Sequence, residues 1–476
     1  MNKKLPFWLF TISVYIAVVI SSLVQEGMFF DGLTYSSISR NLAEGLGNIL
    51  NWNLIYTQTF GNPFVDHPPL AIIIQSFFFQ IFGDHLFVER IYSFLAAIIT
   101  ALLIVKIWRL LFNDNKSLKE LSWFPVFLWI ITPVVFWSYS NNMLENTMAI
   151  FDLTAVYLIY KSWGSNRFHY LKIFLSGIMI LFAFLCKGPV GLFPIATPLL
   201  GFLILKKISF KNAIIQTFVI IFSSSLILSI FFILNQEFFH SFLSYINEQV
   251  FKSIEGKREI TVESRFFILK RLFTELIPAI IICTLLFVYS KYKKNKFESI
   301  NNLNKLSVCF IAIGLSGSVP IIVSLKQSGF YMIPSIPFII ISFGIFSTQY
   351  LNHFISKITF KQRNLKIIII LSILSLFISL SYTISKVGQI RRDKNLILDV
   401  YKIGSIVPGK TTIGICSANY EDWGLHAYLM RYFRISLDNK NFQSYYLINK
   451  NSNDSTLNKY TKLNLDTKVY DLYKIK

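Results

Sequence analysis

Long uncharged runs rich in Ile, Leu, Phe and Val recur from the amino terminus to about residue 385. Pro6–Val24 carries no charge and approaches the ~20 apolar residues that a helix needs to cross a hydrocarbon core. Further runs are Ile91–Val105, Ser122–Tyr139, Ile173–Cys186, Gly188–Leu205, Ala213–Asn235, Leu276–Ser290, Leu306–Leu325, Gln327–Phe354 and Ile367–Ser385. With Glu145–Tyr160 they predict about eleven membrane spans, 11–13 if shorter apolar segments also cross. The first run lacks a small-residue cleavage site and is expected as an uncleaved span. Pro68–Gly83 is too short for a full crossing, so the pattern predicts a re-entrant or membrane-surface helix opened by Pro68-Pro69. Phe238–Val250 intersperses His and Glu among Phe, Leu, Tyr and Ile, the pattern of an interfacial helix.

Beyond Lys386 the long runs stop. Thr411–Ile415 and Val469–Ile475 alternate with period two, and Asp422–Tyr432 between them reads as a helix. The expected fold is therefore an all-α polytopic membrane domain over residues 1–385, followed by a small α/β domain over 386–476.

Composition agrees. Hydrophobic residues make up 54% and charged residues 15% of the 476, against roughly 25% charged in ordinary soluble domains, which excludes a soluble enzyme. The formal net charge of +21 does not point to nucleic acid, because Lys and Arg sit in short clusters between apolar runs. Such clusters mark cytoplasmic loops. Lys3/Lys4, Lys106–Lys119, Lys161–Lys172, Lys206–Lys211, Lys291–Lys296 and Lys357–Lys366 fall on one side if the spans alternate. The opposite, extracytoplasmic side then receives a first loop over 25–90, the Asn141–Asn146 and Lys187 turns, a loop over 236–271, the Lys326–Tyr331 turn and the 386–476 domain. Cys186, Cys283, Cys309 and Cys416 show no metal-ligand or redox-motif spacing and imply no disulfide framework.

Acidic and isolated basic residues collect on the extracytoplasmic side. Asp31 follows the first span in Phe29-Phe30-Asp31-Gly32-Leu33-Thr34-Tyr35. Asp66-His67 precede the Pro-Pro helix start, and Glu145 opens a later span after Asn141-Asn142. Each alone reads as a solvated turn or a helix-end charge. Three carboxylates expected at one membrane level suggest a reaction centre. A lone cation near the bilayer centre costs ~2.5–3.5 kcal/mol on insertion scales, so Lys187 either snorkels or takes a partner or anionic ligand. Trp52, Tyr56, Phe60 and Phe64 suit sugar stacking and equally an interfacial belt. No Walker loop or dinucleotide fingerprint is present.

Asp31 with Tyr35, then Asp66-His67-Pro68-Pro69-Leu70, Phe82-Gly83 with Glu89-Arg90-Ile91, Cys186-Lys187-Gly188-Pro189-Val190-Gly191, and Lys326 with Tyr331-Met332-Ile333-Pro334 resemble the GT-C glycosyltransferases that use polyprenyl-phosphate sugars. Lipid A aminoarabinose transferases and protein O-mannosyltransferases are the similar families. The resemblance covers about residues 1–350; the tail from Lys386 matches no motif. It implies that Asp31 is the catalytic carboxylate, with Asp66 and Glu145 lining the pocket. Tyr35, His67, Arg90, Lys187, Lys326 and Tyr331 are implied as substrate-binding residues. His67 stands where the aminoarabinose transferases have Lys, and Thr34 where they have Arg.

The implied reaction is an inverting single displacement from a polyprenyl-phosphate sugar donor to a lipid, glycan or protein acceptor. It would take place at the extracytoplasmic face of a bacterial inner membrane, as in lipid A or protein glycosylation. No organic cofactor is implied. Three carboxylates and an imidazole could hold a divalent metal ion and serve equally well without one. The competing classes are a transporter or flippase of an anionic or lipid-linked substrate, whose charges would sit at the midplane of paired repeats, and a surface-polysaccharide polymerase or ligase.

Overall fold

The computed structural model describes residues 4–50, 67–164, 169–293, 302–359 and 361–476. Along the chain come α1 (Leu5–Leu23), α2 (Phe30–Ala43), α3 (Leu70–Phe82), α4 (Val88–Leu111), α5 (Lys116–Ile130) and α6 (Pro133–Tyr139). Then follow α7 (Leu144–Trp163), α8 (His169–Lys187), α9 (Pro189–Leu205), α10 (Phe210–Leu234), α11 (Gln236–Tyr245), α12 (Phe267–Tyr292), α13 (Leu303–Val323), α14 (Ile336–Ile358) and α15 (Gln362–Lys386). Among the described residues, α1, α4, α8, α10, α12, α13, α14 and α15 are long and apolar enough to cross a membrane, eight in all. The α5–α6 pair adds a ninth if its 80° bend lies within one span. The chain is a multi-pass membrane protein.

Every apolar run expected as a span contains a helix. The two left over are α7, which carries Glu145, Asp152 and Lys161, and the 3₁₀ and π-helical α9. Pro68–Gly83 forms the short α3 directly after Pro69. The Gln327–Phe354 run is not helical throughout: a 3₁₀ turn occupies Gly329–Met332 and α14 starts only at Ile336. Pro334 and Pro337 bracket that start, and Pro337 falls in the first turn, where its missing N–H removes no helical bond.

The chain divides into two compact units. The first comprises residues 1–21, 66–71 and 93–385. In it α8 packs between α7 and α10, around Ala155, Ile159, Ile173, Ile180 and Ile220. Gly177 permits that approach, since a Cβ there would collide with Ser223 and the Ile220 carbonyl. α14 packs on α12 and α13, and Ser307 and Ser342 join α13 to α14 with hydroxyls 2.8 Å apart.

The second unit comprises residues 22–65, 72–92 and 386–476. Its carboxy-terminal part contains α16 (Lys394–Gly404), β1 (Thr412–Ile415), α17 (Trp423–Phe433), β2 (Ser436–Asp438), β3 (Tyr445–Asn449), β4 (Tyr460–Lys462) and β5 (Tyr470–Ile475). The strands form one sheet in the order β2-β1-β3-β5-β4, parallel over β2-β1-β3 and antiparallel at β5 and β4. The expected strands at 411–415 and 469–475 and the helix at 422–432 are β1, β5 and α17. Met28 and Leu33, from the segment after α1, are buried in the same apolar core as Ile397, Ile413, Leu425 and Leu447.

Candidate functional site

In the first unit, Glu145 stands in the first turn of α7, where the helix dipole favours a negative charge. Lys187 is the last residue of α8. Its Nζ lies 3.2 Å from Glu145 Oε1, with side-chain exposures of 8% and 1%. At that burial Lys187 does not snorkel to solvent; a carboxylate meets its charge instead. The same Nζ sits 5.6 Å from the ring centroids of both Phe330 and Tyr331, within cation–π range.

Backbone conformation fixes the Lys187 end of this arrangement. Gly188 has φ +100° and ψ −151°, a region open essentially to glycine alone. A Cβ there would strike the Tyr245 hydroxyl, which donates to the Lys187 carbonyl at 3.4 Å. Phe330 stacks on Trp137 at 5.6 Å, which steadies the aromatic wall beside the ammonium.

His67 precedes α3 and is half-buried. Burial, then the positive charges of Lys187, Arg258 and Lys326, push its imidazole well below the ordinary histidine range. Three cations and a neutral imidazole thus share one neighbourhood. Gln327 holds the loop there: its Nε2 donates to the carbonyls of Arg265 at 2.8 Å and Ser324 at 2.7 Å, and its Oε1 accepts the Ile268 N–H at 2.9 Å. Lys326 Nζ lies 3.9 Å from the exposed Glu259. Clustered cations around a neutral base are chemistry suited to an anion such as a phosphate.

In the second unit, Asp31 lies in the first turn of α2 and Tyr35 is buried one turn further on. Arg90 donates to the Leu86 carbonyl and, at 3.2 Å, to the Gln25 carbonyl. Glu26 accepts from the Tyr401 hydroxyl. Nearby, Asp84 meets Arg431 at 2.7 Å, Arg434 at 2.6 Å and Arg40 at 3.6 Å, and Arg431 also meets Glu89 at 2.9 Å. Burial would raise the Asp84 carboxyl, but Arg40, Arg431 and Arg434 outweigh it and hold the group below the usual carboxylate range.

The family model for dolichyl-phosphate-mannose-protein mannosyltransferases matches residues 66–233. ArnT from Cupriavidus metallidurans bound to undecaprenyl phosphate is similar with TM-score 0.64 and 12% identity, over 98% of this chain and 97% of that chain. This chain has the GT-C fold. The apo state of the same ArnT gives TM-score 0.65 at 12% identity, over 98% and 97%. The Archaeoglobus fulgidus oligosaccharyltransferase in complex with Zn and sulfate gives 0.52 at 12%, over 93% of this chain and 68% of that chain. No curated protein matches the sequence.

Within the GT-C fold of this chain, Glu145, Lys187 and Tyr331 come together in the first unit, and Lys326 and His67 share the charged neighbourhood of Lys187. Asp31, Tyr35 and Arg90 belong to the second unit. Asp66 and the aromatic residues Trp52, Tyr56, Phe60 and Phe64 lie outside the described residues. Among the described residues no three His, Cys, Asp or Glu side chains gather in a metal-binding group.

Sequence reasoning did not single out Arg258, Gln327, Tyr245 or Asp152. Arg258 is one of several charges between Lys252 and Arg265, and nothing in that stretch distinguishes it. Asp152, two turns along α7 from Glu145, is fully buried, and among the described residues neither of its oxygens has a hydrogen-bond partner. A carboxylate inside an apolar run was the signal that could have found it.

Proposed function

We propose that this protein is an integral-membrane glycosyltransferase. It transfers a sugar from a polyprenyl-phosphate donor to a lipid, glycan or protein acceptor at the extracytoplasmic face of a bacterial inner membrane. The observation that carries this reading is the grouping of Lys187, Arg258 and Lys326 around His67, with Lys187 held by Glu145 beside Phe330 and Tyr331, set in a GT-C fold. Undecaprenyl phosphate bound to ArnT supports the donor class.

Chemically, the acceptor oxygen attacks the anomeric carbon as the bond from that carbon to the phosphate oxygen breaks. The electron pair leaves with the phosphate. A diester monoanion becomes a monoester, whose second pKa is ≈ 6, so negative charge grows on the leaving group. Lys187, Arg258 and Lys326 neutralise that charge as it develops. Glu145 holds Lys187 in place, with Tyr331 as an aromatic wall. The family resemblance assigns Asp31 the acceptor proton, a task for an ionised carboxylate.

A radiolabelled polyprenyl-phosphate sugar, supplied to purified protein with membrane lipid, glycan and peptide acceptors, tests the reading. Transfer to one acceptor class is expected, and Asp31→Asn should lower the rate ~10²–10⁴-fold without a comparable loss of folded protein. Movement of donor across a vesicle bilayer without transfer would instead show a flippase.

A further inference from the structure

Asp31 sits on a helix whose start no side chain caps. The residue before α2 is Phe29, in extended conformation with φ −60° and ψ 139°, and its side chain offers the first amides no hydrogen bond. The preceding backbone is pinned instead by the carboxy-terminal part of the same unit. Glu26 N–H donates to the Gln389 carbonyl at 2.8 Å, and Arg391 N–H donates to the Glu26 carbonyl at 2.9 Å. The Tyr428 hydroxyl, on α17, accepts the Met28 N–H at 3.2 Å and lies 3.0 Å from both the Met28 carbonyl oxygen and Asp393 Oδ2. At the far end of α2, the fully buried Arg40 donates to the carbonyls of Met430 and Arg431 at 3.1 Å each. α2 is therefore tied at both ends to α17.

We infer that Tyr428 is a positioning residue for Asp31, acting through the Met28 backbone; this rests on the reading of Asp31 as the proton acceptor. A helix turns 100° per residue, so the entry point of the chain sets where a first-turn carboxylate points. Tyr428 holds that entry point by a hydrogen bond to a buried amide, the kind of group that is costly to leave unpaired. The burial of Met28 and Leu33 in the core of the carboxy-terminal domain fixes the depth of the segment, and the phenol fixes its rotation. A displacement of about 1 Å at a reacting group can cost ~10²-fold in rate. The carboxy-terminal domain thus builds part of the catalytic machinery by supporting the first loop.

The test uses the full-length protein and the labelled-donor assay. Tyr428→Phe removes the hydroxyl and keeps the ring. Tyr432→Phe, one turn along α17, is the control, because among the described residues its buried hydroxyl has no hydrogen-bond partner. Tyr428→Phe should lower kcat roughly ten- to hundred-fold with donor KM within about two-fold, while Tyr432→Phe stays at wild type. In an Asp31→Asn background, Tyr428→Phe should cause no further loss. Mere loss of folded enzyme would lower kcat by the same factor in both backgrounds, and that result, or an unchanged kcat in Tyr428→Phe, overturns the inference. Amide hydrogen exchange adds a readout independent of activity: protection over Met28–Tyr35 should fall in Tyr428→Phe alone, and unchanged protection overturns the inference. A wild-type rate in Asp31→Asn would overturn the assignment of Asp31 itself, and the positioning role with it.

Discussion

Lys187 Nζ and Glu145 Oε1 stand 3.2 Å apart with almost no exposure, so each charge depends on the other. Removing one partner of a buried pair typically costs ~3–5 kcal/mol, because the remaining charge is left uncompensated. Lys187→Met and Glu145→Gln should each lower the thermal midpoint in detergent. The double variant should regain most of that loss. A double variant as unstable as the sum of the singles would show that the pair contributes nothing to the fold.

The three cations around His67 should act on the donor. Arg258→Gln and Lys326→Met each remove a charged contact worth ~1.5–3 kcal/mol, or roughly ten- to hundred-fold in donor KM or rate. Lys116→Met, at the start of α5, should change neither. Initial rates against donor concentration decide it, and equal behaviour of all three variants would remove the phosphate site from this cluster.

His67 makes stability depend on pH in a defined direction. Its folded pKa lies below the unfolded value of about 6.5, because burial and then Lys187, Arg258 and Lys326 disfavour the imidazolium. The unfolded chain therefore binds more protons near and below pH 6.5, and stability falls as pH drops through that range. His67→Asn should lose less thermal stability than wild type between pH 7.5 and 5.5. Adding a polyprenyl phosphate to wild type should reduce the loss as well, because the anion offsets the cations. Identical pH profiles for variant and wild type would show that His67 is not held neutral.

Asp84 has the same direction of pH dependence, but here it is the charged form that the fold favours. Its carboxyl is held low by Arg40, Arg431 and Arg434 despite burial, so its contribution is complete above the ordinary carboxylate pKa and disappears as pH falls through the depressed value. Asp84→Asn should therefore be clearly less stable than wild type at pH 7, with the difference closing as pH falls below the ordinary carboxylate range. A difference that persists unchanged in acid would point to lost packing rather than lost charge.

The basic-loop pattern predicts sidedness. The four native cysteines are buried, so single cysteines at the exposed positions Asp114 and Asn453 can be labelled selectively in intact cells and inverted vesicles. Asp114→Cys should react from the cytoplasm and Asn453→Cys from outside. Labelling of both from one side would reverse the assignment of the carboxy-terminal domain.

Uncharged runs, the strand-like runs Thr411–Ile415 and Val469–Ile475, and the Pro68-Pro69 helix start were legible in the sequence. Each is set by local chemistry: apolar transfer, the alternation of strand side chains and the fixed φ of proline. His67, Glu145, Lys187, Lys326 and Tyr331, which the structure gathers in the first unit, were also singled out by residue type in the sequence. Their partners were not. Periodicity says which face of a helix is apolar, not which distant helix it will meet, so pairing Lys187 with Glu145 required the packing of α7 on α8. Arg258 became visible only through its charge near His67, and Gln327 only through the carbonyls it gathers from both sides of its loop. The joining of Met28 and Leu33 to a core formed by residues beyond Lys394 was likewise decided by tertiary structure. Buried apolar surface is non-directional and is assigned to a partner only when the whole chain is packed.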